Sequence, residues 1–215
     1  MSDDRITCSC ACNTGDLPWA GRGTELDISG CRFSLYPMCD NYVPVILGAL
    51  EATDTSAVWQ ETDALSTVYR GKLCYVADAV KALFINACHE GVHMAIEGQF
   101  SHGCPGDIDG DSVLGLEGPA PNGSRLSGKH FPVHCKIALY PMAVPEYIQK
   151  IAAVWRLAEE RGLQPKTIHY ATRLEGDVQD IFSFLEEICR LMSDDPSVPH
   201  YILHFTMNVN SPTEE

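Results

Sequence analysis

Apolar and polar positions along the chain change period in a regular order. Arg32 to Tyr36 alternates, with Phe33 and Leu35 on one side and Ser34 and Tyr36 on the other, which predicts a half-buried strand stopped by Pro37. Val43, Ile46, Leu47 and Leu50 then recur at helical spacing, predicting a helix from Asp40 to about Thr53 with Pro44 in its tolerant first turns. Strands follow at Val58 to Thr62 and Leu65 to Arg70, a helix at Tyr75 to Cys88, and a strand at Val92 to Phe100. The order is βαββαβ.

The order then repeats. Lys136 to Tyr140 reads as a strand, Pro145 opens a helix that carries Ile148, Ile151 and Trp155, and Gly162 closes it. Strands near Thr167 to Leu174, a helix with Val178, Ile181, Leu185 and Ile188, and a strand at Tyr201 to Asn208 complete the second copy. The repetition is literal at one place, where Leu35-Tyr36-Pro37-Met38 returns 104 residues later as Leu139-Tyr140-Pro141-Met142. A duplicated unit of this size is a domain, not a short solenoid repeat. The pattern predicts an α+β protein of tandem ferredoxin-like βαββαβ domains with antiparallel sheets. We expect an N-terminal, poorly ordered arm at 1–30, a first half at 31–106, a Gly/Pro/Ser/Asp-rich linker at 107–132 and a second half at 133–215.

Helices cover only one face of such a sheet. The other face, with Ser34 and Tyr36, is expected to bury against another sheet in a pseudo-dimer or homodimer, with ligand sites near the joins. Composition narrows the partners. At 45% hydrophobic and 20% charged residues the chain has the make-up of a globular protein. Its net charge of −14 argues against nucleic acid and anionic membrane, and tolerates a cationic small molecule. No apolar run reaches the roughly 18 residues of a membrane span, and Met1-Ser2-Asp3-Asp4 lacks the basic start of a secretory signal, so a cytoplasmic location is expected. Most of the ten cysteines sit inside apolar patterns, as small core residues do, while Cys8, Cys10 and Cys12 form a C-x-C-x-C run outside the repeats.

Catalytic motifs are weak. His89-Glu90-Gly91-Val92-His93 matches H-E-x-x-H, but a zinc hydrolase needs both histidines on one continuous helix and Gly91 interrupts it. Asp107-Ile108-Asp109-Gly110-Asp111 only faintly resembles a calcium loop. We therefore expect no catalytic residues, no metal ligands and no cofactor. Polar groups do recur at matching places in the two halves: Tyr36 with Tyr140, Thr67 with Thr172, Ser101 with Asn208. Rings and hydroxyls of this kind can hold a flat heteroaromatic ring, although strand propensity alone also accounts for Tyr and Thr.

Longer stretches resemble a known family. Arg32 to Met38, Ala52-Thr53-Asp54-Thr55-Ser56, Val58-Trp59, Thr62-Asp63, Ser66-Thr67-Val68, Arg70-Gly71, Phe100-Ser101, Gly103 to Asp107, His169-Tyr170-Ala171 and Asn210-Ser211-Pro212 are similar to the YkoF family of thiamin- and hydroxymethylpyrimidine-binding proteins. The resemblance implies tandem ferredoxin-like halves, a homodimer, and binding without reaction in uptake or salvage of the thiamin precursor, with a transporter as a further partner. It places a first site at Ser34, Tyr36, Asp63 and Thr67 with Trp59 as a wall, and a second at Tyr140, Tyr170, Thr172 and His169. Ser34 is replaced by Ala138 and Asp63 by Ile168 in the second half, so two unequal sites are expected, the first richer in hydrogen-bonding groups. A sensing module that contacts a transporter is the competing reading, and a zinc hydrolase using His89 and His93 a more distant one.

Overall fold

A computed structural model of the chain describes residues 28–103 and 111–213. The first half runs β1 (Ser29–Pro37), α1 (Tyr42–Ala52), β2 (Trp59–Thr62), β3 (Thr67–Gly71), α2 (Leu73–Ala87) and β4 (Met94–His102). Two short helical turns follow, α3 (Asp111–Leu114) and α4 (Gly123–Leu126). The second half runs β5 (Pro132–Met142), α5 (Tyr147–Glu160), β6 (Lys166–Ile168), β7 (Ala171–Asp177), α6 (Val178–Ser193) and β8 (His200–Val209). The tandem ferredoxin-like α+β architecture is thus present in full. The chain segment with Cys8, Cys10 and Cys12 and most of the calcium-like loop lie outside the described residues.

Several boundaries differ from expectation for local reasons. Strand β1 begins at Ser29, because Gly30 and Cys31 continue the ladder against Arg70 and Tyr69 despite their weak strand propensity. Helix α1 starts after Asn41, with no side-chain cap, so Asp40 does not serve as its cap. Helix α6 is capped as its sequence allows: the Asp177 carboxylate accepts the Gln179 amide at 2.9 Å. Helix α2 ends at Ala87, which leaves His89 to His93 in a turn where Gly91 adopts φ +74°. Asn210 pins that turn from β8, donating to the carbonyls of His89 (3.1 Å) and Val92 (3.0 Å). The two histidines therefore share no helix face, and the zinc-hydrolase geometry is not formed.

The larger difference is how the halves meet. They do not stack face to face. Strands β4 and β8 pair antiparallel from Met94↔Val209 to His102↔Tyr201, fusing two four-stranded sheets into one of eight in the order β2-β3-β1-β4-β8-β5-β7-β6. Each half becomes the other's missing edge partner, and the free edges that remain, β2 and β6, are only 4 and 3 residues long. The centre of the seam is the pair Gly98↔Phe205. A Cβ on Gly98 would come within 2.9 Å of the Phe205 ring and 3.0 Å of Phe33, so glycine is what lets both aromatic groups lie over this point.

All four long helices lie on one side. Helices α2 and α6 pack on the sheet and on each other through Phe84 and Phe182, whose ring centroids are 5.9 Å apart. Helix α2 buries 11 of its 15 residues and forms the centre of the core, whereas α1 and α5 bury two each and cover the flanks. Phe33, Tyr69, Phe100, Leu174 and Phe205 fill the sheet side of this core, each fully buried apolar side chain contributing about 1.5–3 kcal/mol. The opposite face is polar. Glu97 meets His204 at 3.1 Å and Ser101 meets His200 at 3.4 Å, both across the seam.

Candidate functional site

The repeated Leu-Tyr-Pro-Met stretch has a structural meaning. Strand β5 pairs with β8 as far as Met142, but with β7 only as far as Ile137↔Thr172. Strand β1 likewise pairs with β4 to Pro37, but with β3 only to Phe33↔Thr67. In both halves, therefore, the repeat forms the end of a strand with one edge bare. Proline is tolerated there, and the backbone groups of that edge remain open to another partner.

In the second half the bare edge borders a cavity of about 460 Å³ between the sheet and α5. Tyr147, Tyr170 and Thr172 supply its rings and hydroxyls, Ile137, Leu139, Ile151 and Val154 its apolar floor, and the strand edge at Tyr140 its rim. Of the four second-site residues expected from the sequence, Tyr170 and Thr172 border this cavity, while Tyr140 meets it only along its strand edge, its side chain lying on the open face beside Ile202 as that of Tyr36 does in the first half. Thr172 lies beside Ile137 on the helix side of the sheet. Helix α5 buries Val154 and Ala158 and is tied further by ion pairs, Arg161 to Glu187 on α6 at 2.6 Å and Lys150 to Asp195. Those contacts, led by Lys150 and then Ser197, hold the Asp195 carboxyl at about 2. Tyr170 sits at the tip of the β6–β7 hairpin at φ +66° with its side chain 98% exposed, a ring hanging over the cavity mouth. His169 is not among the cavity's lining residues, and its ring lies 6.2 Å from that of Tyr170.

The first-half residues are more dispersed. Ser34 and Tyr36 point to the open face, while Thr67, opposite the buried Phe33, points to the helix side. The register thus puts Thr67 on the opposite side of the sheet from Ser34 and Tyr36. Most of these polar groups are also already engaged. Ser34 donates to the Leu65 carbonyl at 3.0 Å, and Thr67 meets the Thr62 hydroxyl at 2.9 Å. Asp63 accepts the amides of Leu65 (2.7 Å) and Ser66 (2.9 Å) and the Arg32 guanidinium (3.0 Å). Those amides, with Arg32 behind them, hold its carboxyl below the usual range. Trp59 belongs to neither cluster. It pairs with Arg70 three residues along β2 from Thr62, about 10 Å away, with the guanidinium carbon 5.8 Å from its ring centroid. The wall expected from Trp59 is not formed.

The two halves differ in how far these groups are already engaged. Tyr140, Tyr170 and Thr172 form no hydrogen bond with other described side chains, whereas Ser34, Asp63 and Thr67 hold the β2–β3 turn. The lining residues that the sequence did not mark for the site, Tyr147 and Ile151, come from α5, whose helical period is visible in the sequence but whose distance from the sheet is not.

Fold and cavity together define a tandem ferredoxin-like protein with a ligand-sized cleft under one flanking helix. It belongs to the YkoF-related family, whose family model matches residues 28–107 and 132–214. The chain is 39% identical over 188 residues to the "Putative HMP/thiamine-binding protein YkoF" of Bacillus subtilis (strain 168), a match that spans 87% of this chain and 93% of that one.

Proposed function

We propose that the protein binds thiamin or its hydroxymethylpyrimidine moiety without transforming it, at two unequal sites per chain. The observation that carries this reading is the cavity at Tyr147, Tyr170 and Thr172, where hydroxyls and the bare edge of β5 face an apolar floor. A 4-aminopyrimidine presents a donor and ring-nitrogen acceptors on its edge and apolar faces above and below. The strand edge and Thr172 pair the edge, and the tyrosines cover the faces. A ring without the amino group would leave a buried polar group unpaired at a cost of about 1–3 kcal/mol. The relative's name supports the same ligand class. The thiazolium of thiamin is cationic, which suits tyrosine walls and a chain of charge −14.

The second half holds the stronger site on this reading. The first site lies at the equivalent bare edge beside Tyr36, where Ser34, Asp63 and Thr67 shape the turn instead of meeting ligand. We further place the protein in the cytoplasm as a homodimer, serving uptake or salvage of the vitamin precursor next to a transporter. No helix of the described residues is long and apolar enough to cross a membrane.

Titration calorimetry with thiamin and with hydroxymethylpyrimidine tests the reading. Two phases are expected, and Thr172→Val should weaken the tighter one while leaving the other in place. An isotherm without heat for any pyrimidine would end it. A single phase unmoved by Thr172→Val would remove the assignment of the site.

A further inference from the structure

The open face of the sheet carries a second cavity, of about 320 Å³, apart from the site proposed above. Its floor is a row of side chains across three strands: Arg173 on β7, Lys136 on β5 and Thr206 on β8, each the register partner of the next. His134 and Asn208 form the adjoining row, and Ser211 and Thr213 bring hydroxyls from the segment after β8. Arg173 is ion-paired to Glu175 at 3.1 Å, a carboxylate that also takes Lys166. Lys136 has no ion pair among the described residues. The Asn208 Oδ1 is shut off from solvent without a hydrogen bond. A cationic cavity in a chain of charge −14 runs against the field of the whole molecule.

The duplication supplies an internal control. Arg32 occupies the place of Lys136 in the first half, and there it is neutralised, bound to Asp63 at 3.0 Å and Ser66 at 2.7 Å. The residue equivalent to Asp63 is Ile168, which lines the second-half cavity. Replacement of that carboxylate by an apolar side chain leaves the ammonium of Lys136 without its counter-charge. Such a change has no purpose in packing an exposed face, but it opens a place for an anion from outside.

We propose that this cavity binds a phosphate group, free or carried as a small monoester. A guanidinium, a point-charge ammonium and several hydroxyl donors match the three oxygens of a phosphate, and charge-assisted hydrogen bonds of this kind are the strong ones. The volume falls at the small end of ligand cavities, roughly 300–1,000 Å³, which leaves room for a short organic body beside the anion.

The full chain, in phosphate-free buffer at constant ionic strength, is titrated with inorganic phosphate and with glycerol 3-phosphate. Saturable binding of either supports the site, and the tighter of the two shows whether the group is taken free or esterified. Lys136→Gln and Ile168→Asp, the second restoring the carboxylate of the first half, should each weaken binding at least about tenfold. Neither should alter the thiamin isotherm, so failure here is separable from failure of vitamin binding. Absence of saturation with both probes, or equal binding by wild type and Lys136→Gln, would overturn the proposal. Should Ile168→Asp not fold, Lys136→Gln decides alone.

Discussion

Asn122 clasps Asp78. The side-chain amide of Asn122 donates to the Asp78 carboxylate at 2.8 Å, and its backbone N–H reaches the same oxygen at 3.0 Å. Both residues are buried, and the Asn122 side chain also exchanges two 2.9 Å bonds with the backbone of Asp54. The segment between the halves is thereby locked to the middle of α2 and to the end of α1. Asn122→Ala removes three of these bonds and leaves a buried carboxylate under-satisfied. A loss of about 2–3 kcal/mol is expected, read as a melting temperature lower by roughly 4–10 °C, with ligand binding retained. An unchanged melting temperature would show that the segment is not anchored there.

Gly98 sets the fit of the seam. Gly98→Ala places a methyl against the Phe205 ring and Phe33 and should cost about 1–3 kcal/mol through overpacking. Phe205→Leu in the same chain should recover part of that loss, because the two residues compete for one space. A double-mutant cycle by chemical denaturation measures this coupling, and simple additivity would count against direct contact.

Tyr140 and Tyr36 occupy equivalent places in the repeat, with a cavity defined beside Tyr140. Tyr147→Ala, which takes a ring from the α5 wall of that cavity, is expected to weaken the tighter calorimetric phase about tenfold, the combined effect of a lost ring face and lost apolar contact. Tyr36→Ala should leave that phase alone and act on the weaker one. The opposite pattern would exchange the two sites.

His200 gives stability a pH dependence. Burial, with His102 nearby, pushes its imidazole below the ordinary value. A histidine whose folded pKa is depressed resists protonation in the native state alone. Its stabilising effect is complete above the unfolded value of about 6.5 and declines as pH falls through it toward the folded pKa. His130 acts in the other direction, since its hydrogen bond to Asp177 raises its pKa and favours the fold at lower pH. Melting temperature against pH for wild type and His200→Gln should therefore converge in acid, with the wild type falling more steeply. Parallel curves would refute the assignment.

How much of this was legible in the sequence depends on range. The period of Phe33, Leu35 and their neighbours gives β1, and the literal return of Leu-Tyr-Pro-Met gives the duplication, because both are local patterns. Which face Thr67 takes was not legible, since its ladder partner Phe33 lies 34 residues away. The β4–β8 pairing joins residues up to 115 apart, and no local period encodes it. Asn122 was hidden in a stretch whose glycines and prolines read as linker. Only its neighbour Asp54, within the conspicuous Ala52 to Ser56 run, pointed to that place.

The pair Gly98↔Phe205 has one more implication. Offset by 107 residues, these are the same position of the two repeats, and they face each other where the pseudo-twofold axis crosses the sheet. Two identical chains meeting on that axis would have to present either a pair of glycines, with a void between them, or a pair of phenylalanines colliding. Only two halves that are no longer identical can put nothing on one side and a ring on the other. Divergence of the copies therefore made the joint one-way: cut apart, neither half could rebuild it with its own twin.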